Sequence, residues 1–178
     1  MALKPTIYKF RIAVTDLNRD HYDNLNLTVA QHPSENNKRM LARVLAFCLN
    51  TGSSIAFTKG LSTVEEPDIW SHTLDNHIQL WIDVGEPDFE RIKKASHKSE
   101  QVKIYTFNAK SDVWWQQNQS QLTSLSKVEV YQFEHDSIEQ LAQNLSRGMD
   151  LSVMVSEQSI FVDMDSGSFE IGWKTLHE

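Results

Sequence analysis

Two acidic residues flank an apolar segment in the stretch EPDIWSHTLDNHIQLWIDVGEPD, residues 66–88. Asp68 follows a proline, and Asp83 stands fifteen positions later, near the end of the apolar run. If residues 68–74 and 78–84 pair as a hairpin, the two carboxylates converge at one end of it. Two hard oxygen ligands, with water completing the coordination shell, suit Mg²⁺ or Mn²⁺. Such an ion would serve the hydrolysis of a phosphodiester.

An acid near the end of an apolar strand needs something to compensate its charge. Alternation along residues 78–84 places Trp81 and Asp83 on one face of the predicted strand. The aliphatic residues of the other face are Leu80, Ile82 and Val84. Burying a carboxylate is costly unless a metal ion, a basic side chain or backbone amides compensate it. The alternative interpretation makes Asp68 an acid at a turn and Asp83 a cap for the amides of residues 85–88.

The elements that position these acids follow from the spacing of the apolar residues. In chain order the pattern predicts a helix at 34–50, strands at 55–57, 68–74 and 78–84, a helix at 88–98 and a strand at 102–107. For residues 68–74, a single helical turn that begins at Pro67 is an alternative that fits nearly as well. Alternating segments at the two ends of the chain predict further antiparallel strands. The predicted fold class is therefore α/β (α+β), with one domain over residues 1–178.

Composition excludes several classes of protein. With 40% hydrophobic and 23% charged residues, the chain is typical of a globular protein. Its net charge of −7 disfavours a protein that coats long nucleic-acid duplexes. The lone cysteine, Cys48, lies on the apolar stripe of the first helix, so we expect a buried thiol and a cytoplasmic protein. No segment is apolar enough to span a membrane, and the seven histidines lack the spacing of a zinc site.

One segment of the chain is locally basic. Between residues 91 and 103, five basic residues oppose only Glu100, which leaves a local charge of five minus one, or +4. The five are Arg91, Lys93, Lys94, Lys98 and Lys103. Because the segment directly follows the two acids, we expect it to contact nucleic acid, or alternatively a protein partner. The sequence does not determine the oligomeric state.

The order helix, strand, Pro-Asp strand, acid-ending strand, helix, strand resembles the PD-(D/E)xK nuclease superfamily. The chain also resembles the YaeQ family, through the segments MALKPTIYKF, QHPSENNKRML, FTKGL, EPDIW, LWIDVGEPD, RIKKA and VWWQQNQ. The resemblance implies a variation on the restriction-endonuclease fold: a mixed sheet flanked by helices, with an additional antiparallel strand layer from the N- and C-terminal segments. It also implies that Asp68 and Asp83 bind the metal ion and that Glu35 is the acid of the first helix.

The chain departs from the nuclease pattern at one position. The motif lysine should follow Asp83 by two, where Gly85 stands instead. Such a lysine orients the attacking water and neutralises charge in the transition state. The next helix is the nearest source of a substitute, and its buried stripe comprises Phe89, Ile92 and Ala95. Lys93 lies at the edge of that stripe and Lys94 points to solvent, so we expect Lys93 to be the catalytic cation.

Glu35 does not lie on the buried face of the predicted first helix. At about 100° per residue, it falls roughly 150° from the stripe of Met40, Val44 and Cys48 in the predicted helix. The direction of a side chain in the first helical turn follows the 100° spacing less strictly, so Glu35 remains a candidate to assist catalysis.

The candidate residues are compatible with three functions. The first is a Mg²⁺- or Mn²⁺-dependent phosphodiesterase that acts on nucleic acid through Asp68, Asp83, Lys93 and Glu35. The second is a catalytically inactive nuclease-like module that binds nucleic acid or a protein through its basic segment. The third is an interaction module without a nucleic-acid role, which the acidic charge permits. Gly85 favours the last two and the retained acids favour the first, so the balance favours a nuclease-like protein.

Overall fold

The computed structural model describes residues 3–52 and 54–178, so the first two residues of the MALKPTIYKF segment lie outside it. The strands are β1 Thr6–Asp16, β2 His21–Gln31, β3 Ile55–Phe57, β4 Ile69–His72, β5 Ile78–Val84, β6 Ser99–Thr106, β7 Val128–Phe133, β8 Gly148–Ser156, β9 Ser159–Met164 and β10 Gly167–His177. The α-helices are α1 Asn37–Leu49, α2 Phe89–Lys98, α3 Ser111–Leu122 and α4 His135–Ala142. A single 3-10 turn covers Gly60–Ser62. The chain is therefore a mixed α+β protein.

All ten strands belong to one sheet, in the order β2-β1-β8-β9-β10-β7-β6-β5-β4-β3. The pairs β1/β8, β5/β6 and β6/β7 are parallel, and the other neighbours are antiparallel. The N- and C-terminal strands, which the sequence analysis assigned to an additional layer, are continuous with the rest. The reason is the length of β10, whose residues 167–172 pair with β9 and whose residues 173–177 pair with β7.

The large core lies between the sheet and the helices α1 and α4. Strands from both halves of the sheet contribute to it, including Phe10 and Ile12 of β1 and Ile69 and Ile82 of the β4–β5 hairpin. A smaller core packs the opposite face of β5, β6 and β7 against α2 and α3. The aliphatic residues Leu80, Ile82 and Val84 belong to the large core and Trp81 to the small one, which confirms the predicted alternation of β5.

Two local features set the positions of the acids. Of the two alternatives for residues 68–74, the structure forms the β4–β5 hairpin, with Ile69 opposite Ile82 and a turn in which Asn76 adopts a positive φ of 65°. Helix α1 begins later than predicted, because the side chain of Asn36 accepts a hydrogen bond from the backbone N–H of Arg39 and caps the helix there. Glu35 therefore lies in the loop before α1, where a helical wheel does not apply.

Among the described residues, none of the helices combines the length and the apolar character needed to cross a membrane.

Cys48 is buried in the large core, as the sequence predicted. Burial raises the pKa of its thiol to about 12. Because the thiolate is the reactive form, we expect the folded protein to resist an aromatic disulfide reagent at neutral pH and to react once guanidinium unfolds it. Absorbance of the released thiolate measures both rates. Rapid reaction of the folded protein would contradict this placement of Cys48.

Candidate active site

The hairpin brings Asp68 alongside Asp83. The backbone N–H of Asp68 donates to the carbonyl of Ile82 at 3.0 Å. Its carboxylate Oδ2 accepts from the backbone N–H of Val84 at 2.8 Å. Asp68 therefore bonds to β5 on either side of Asp83, and both acids are buried at the end of that strand.

Arg39 of α1 holds the Asp68 carboxylate. Its Nη2 lies 2.8 Å from Oδ1 and 2.9 Å from Oδ2 of Asp68, and 3.2 Å from the carbonyl oxygen of Val84. The Asp68 carboxylate thus receives a guanidinium from the helix and a backbone amide from β5. These charge-assisted bonds offset part of the cost of burying the carboxylate.

Glu35 reaches Asp68 through Arg39. The Glu35 side chain is 1% exposed, and its Oε2 accepts from Nη1 of Arg39. Arg43 adds two bonds to the same carboxylate, Nη2 to Oε1 at 2.6 Å and Nε to Oε2 at 3.0 Å. A buried chain of alternating charge therefore runs from Arg43 through Glu35 and Arg39 to Asp68. Glu35 is placed to fix Arg39.

Asp83 is held by Arg91 of α2. Nε of Arg91 lies 2.8 Å from Oδ2 of Asp83, and Nη2 lies 3.0 Å from Oδ1, a two-pronged ion pair. The same guanidinium donates to the backbone carbonyls of Val64 and Glu66 and sits 5.7 Å from the ring centre of Trp81. Arg91 thus connects Asp83 to the segment between the 3-10 turn and β4.

The environment of Asp83 disfavours its charged form. Burial is the main cause that raises the pKa of this carboxyl, and the neighbouring charge of Asp68 raises it further. The hydrogen bonds and charge of Arg91 act in the opposite direction without cancelling the rise. Arg91 is therefore the main group that stabilises the charged form of Asp83.

Both acids line one cleft of about 400 Å³. The other charged side chains of its wall are Arg39, Glu66, Glu86 and Arg91. Because β5 and β6 are parallel, the cleft lies at their carboxyl ends, where α/β proteins commonly bind ligands. The site is therefore an open, charged cleft with two buried carboxylates and two guanidinium groups in its wall.

The structure divides the predicted basic cluster. Lys93 is exposed on α2, and no lysine lines the acid cleft among residues 3–52 and 54–178. Lys94 and Lys98 line an adjoining cleft of about 270 Å³ together with Trp81 and Arg91. Lys103 lies on β6, 3.5 Å from Glu129. The cation beside Asp83 is thus Arg91, where the sequence analysis expected Lys93.

Three arginines were missed as partners of the acids. Arg39 and Arg43 follow Glu35 by four and eight positions, and Arg91 follows Asp83 by eight. A buried carboxylate needs a compensating positive charge, and this requirement could have pointed to the arginines. The expected source of that charge was instead a metal ion or Lys93. A long side chain can reach a neighbouring strand from the flank of its helix, so the helical wheel alone did not select these residues.

The donor chemistry of the cleft fits a hard divalent ion. An ionised carboxylate has about four acceptor sites. Asp83 uses two of them for Arg91, and Asp68 uses three for Arg39 and Val84. Both acids therefore keep acceptor capacity, and oxygen ligands of this kind are the ones that Mg²⁺ and Mn²⁺ accept.

A second group of metal-ligating residues lies on α4, outside the cleft. Donor atoms of His135, Asp136 and Glu139 fall within 4.8 Å of one another. The two acids are exposed, and Glu139 also lies 4.0 Å from Lys38. These groups have the surroundings of ordinary surface charges, so the acid cleft remains the candidate active site.

Comparison with known proteins gives consistent matches. A family model described as "YaeQ protein" matches residues 1–173. "Uncharacterized protein YaeQ" of Escherichia coli K12 is 35% identical over 96% of this chain and 95% of its own length, and the protein of the same name in Salmonella typhi is 36% identical over the same shares. The crystal structure of YaeQ protein from Xanthomonas axonopodis pv. citri aligns with a TM-score of 0.94 at 29% identity, over 97% of this chain and 98% of that one. That from Pseudomonas syringae aligns with a TM-score of 0.92 at 34% identity, over 98% and 97%.

The buried charge network should contribute strongly to stability. Glu35→Ala leaves Arg39 and Arg43 without their shared carboxylate, and we expect a loss of roughly 3–5 kcal/mol in the free energy of unfolding. Asp150→Ala is the matched control, because it breaks an ion pair with Arg11 in which both side chains are well exposed. Urea denaturation should show no measurable change for the control. Equal effects of the two substitutions would contradict the importance of burial.

A pH series tests the environment of Asp83. An unfolded aspartate has a pKa of about 3.9, and the folded pKa of Asp83 is raised. Stability from this group is therefore fully present below about pH 4 and is lost as the pH rises through the folded pKa. The difference in unfolding free energy, wild type minus Asp83→Asn, should fall as the pH rises from about 4. Urea denaturation of both proteins measures it, and a constant or rising difference would overturn the assignment.

Proposed function

The chain belongs to the YaeQ family, and we propose that its acid cleft is the active site of a Mg²⁺- or Mn²⁺-dependent phosphodiesterase acting on nucleic acid. One observation carries the proposal: Asp68 and Asp83, buried at the end of one hairpin, line a single open cleft together with two arginines. The element order α1, β3, β4, β5, α2, β6 supports it, because the PD-(D/E)xK resemblance implies that order. We extend the proposal to the fold, as a variation on the restriction-endonuclease architecture.

In this proposal Asp68 and Asp83 hold the ion, which when bound polarises a phosphoryl oxygen and makes a bound water more acidic. Arg39 fixes the orientation of Asp68, and Glu35 fixes Arg39. Arg91 presents a guanidinium at the same cleft, and this group suits phosphate oxygens because it donates two parallel hydrogen bonds.

The backbone explains why the motif lysine is missing. Gly85 adopts a φ of 120°, a conformation that residues with a side chain rarely adopt, while its N–H donates to the carbonyl of Tyr105 at 2.8 Å. This turn leads the chain from β5 towards α2. A lysine at this position would be strained, and in the proposed site Arg91 takes the part that the sequence analysis gave to Lys93.

A second candidate is the inactive module that binds nucleic acid or a protein partner. The observation in its favour is charge balance: Glu35, Asp68 and Asp83 are matched by Arg39, Arg43 and Arg91. Three minus charges and three plus charges sum to zero, so these six paired groups need no metal ion to balance their charge. The interaction module that binds only a protein remains the third alternative, to which the net charge of −7 is suited.

Cleavage assays separate these functions. We expect wild type to cut mixed single- and double-stranded DNA or RNA substrates in Mn²⁺ and to stop when a chelator is added. Asp83→Asn should reduce the rate by about 10²-fold or more, the scale seen when a group that stabilises the transition state is lost. Lys93→Ala should cut normally, because Lys93 is exposed and does not line the cleft. Gel electrophoresis of labelled substrates measures the rates.

The opposite outcomes are equally informative. A wild-type protein that binds the substrates but never cuts them would establish the inactive binder. One that neither binds nor cuts would favour the protein-interaction module. Cleavage that Lys93→Ala abolishes would restore Lys93 as the catalytic cation and remove Arg91 from that role.

A further inference from the structure

We propose that Arg91 is the phosphate-binding residue of the cleft, and that Arg91 and a divalent ion are alternative partners of Asp83. In the free protein Arg91 occupies the acid, and in the loaded protein it turns towards a phosphodiester of the substrate. This inference rests on the proposed function for its ion and for its ligand class.

The two arginines of the cleft differ in how firmly they are held. Arg39 is bound by Glu35, by Asp68 and by the carbonyl of Val84, and its side chain is 17% exposed. Arg91 has Asp83 as its one ion-pair partner within the described residues, and its side chain is 29% exposed. Its other hydrogen bonds go to two backbone carbonyls of the neighbouring segment. Arg91 is therefore the arginine that can exchange its carboxylate for another anion.

The two acids also differ in how firmly they are held. Asp68 has a backbone donor, Val84, in addition to Arg39. The hydrogen bonds of normal geometry that the Asp83 carboxylate accepts within residues 3–52 and 54–178 come from Arg91. If Arg91 moves, Asp83 therefore loses the hydrogen bonds that now hold its carboxylate.

Trp81 provides a second, independent observation. The residue is 3% exposed, and its indole N–H makes no hydrogen bond of normal geometry within the described residues. Buried donors without a partner are rare in folded proteins. Burial raises the pKa of Asp83, and the indole N–H lies close enough to oppose that rise weakly as a hydrogen-bond donor. Trp81 is thus placed to donate to Asp83 when Arg91 turns away, with the ion supplying the charge.

The adjoining cleft offers Arg91 a place to turn. Arg91, Lys94 and Lys98 share one side of α2, because they are spaced by three and four residues. All three line the smaller cleft beside the Trp81 ring. Rotation of the Arg91 side chain about its contact with Trp81 keeps the guanidinium between the two clefts, with Lys94 next along the helix.

The charges of the smaller cleft define the class of ligand. Its acids are Glu65, Asp88 and Glu90. Asp88 caps α2 by accepting from the backbone N–H of Arg91, and Glu65 lies 3.4 Å from Lys98. Three acids against three bases leave no excess positive charge for a long polyanion. The site therefore suits the phosphodiester of a short single strand, bound by the fork of Arg91.

Calorimetric titrations test the exchange without requiring catalysis. One titration adds Mn²⁺ alone, and the other adds a short single-stranded oligonucleotide whose linkages resist cleavage, in the presence of saturating Mn²⁺. Arg91→Ala should bind Mn²⁺ about tenfold more tightly, because the competing cation is gone. It should bind the oligonucleotide about tenfold more weakly, because the two-pronged phosphate contact is lost. Lys93→Ala, the matched control on the same helix, should change neither affinity.

Removing Arg91 leaves the Asp83 carboxylate buried without its cation, so two further variants protect the test against failure to fold. Arg91→Lys keeps the charge and loses the fork, and it should weaken oligonucleotide binding. The double variant Asp83→Asn with Arg91→Ala removes both charges, and it should bind Mn²⁺ more weakly than wild type. Circular dichroism checks the fold of each variant.

Opposite shifts in the two affinities support the exchange, since a purely structural role would not raise the affinity for one ligand and lower it for the other. Unchanged oligonucleotide binding in both Arg91 variants, or unchanged or weaker Mn²⁺ binding in Arg91→Ala, would overturn it. If the opposite shifts occur but wild type cuts no substrate, the exchange stands and the phosphodiesterase proposal fails. If wild type cuts and the shifts are absent, the phosphodiesterase stands and Arg91 is not its phosphate-binding residue.

Discussion

The structure depends on one interaction, the buried chain of alternating charge that joins Arg43, Glu35, Arg39 and Asp68. It ties the loop before α1, the helix itself and the β4–β5 hairpin together at one end of the core. None of these groups tolerates burial alone, because removing an ion from water costs several kcal/mol unless charge and hydrogen bonds compensate it. The position of α1 against the hairpin is therefore fixed by this requirement as well as by apolar packing.

The same requirement explains the unequal character of the two acids. Asp68 lies inside the network and receives donors from a helix and from a strand, which makes it a rigid part of the framework. Asp83 lies beyond the end of the network and relies on Arg91, which reaches it from the opposite side of the sheet and remains partly exposed. The two carboxylates of the cleft thus differ in how many elements of the fold supply their donors.

The location of the cleft follows from the topology around β5. This strand pairs antiparallel with β4 and parallel with β6, so the hairpin acids and the start of α2 meet at its carboxyl end. Gly85 in the following turn has a φ of 120°, at which a residue with a side chain would be strained, and the chain then enters α2, whose Arg91 contacts Asp83.

The sequence by itself determined the local features: the alternation of β5, the β4–β5 hairpin with its two acids, and the helix that carries the buried Cys48. These depend on the spacing of apolar residues and on turn residues, which act over a few positions of the chain. The tertiary structure decided which cation meets each acid, where Glu35 lies relative to α1, and how β10 joins the terminal strands to the rest of the sheet. A guanidinium on a long, flexible side chain can reach many carboxylates, and only the packing of α1 and α2 on the sheet selects one.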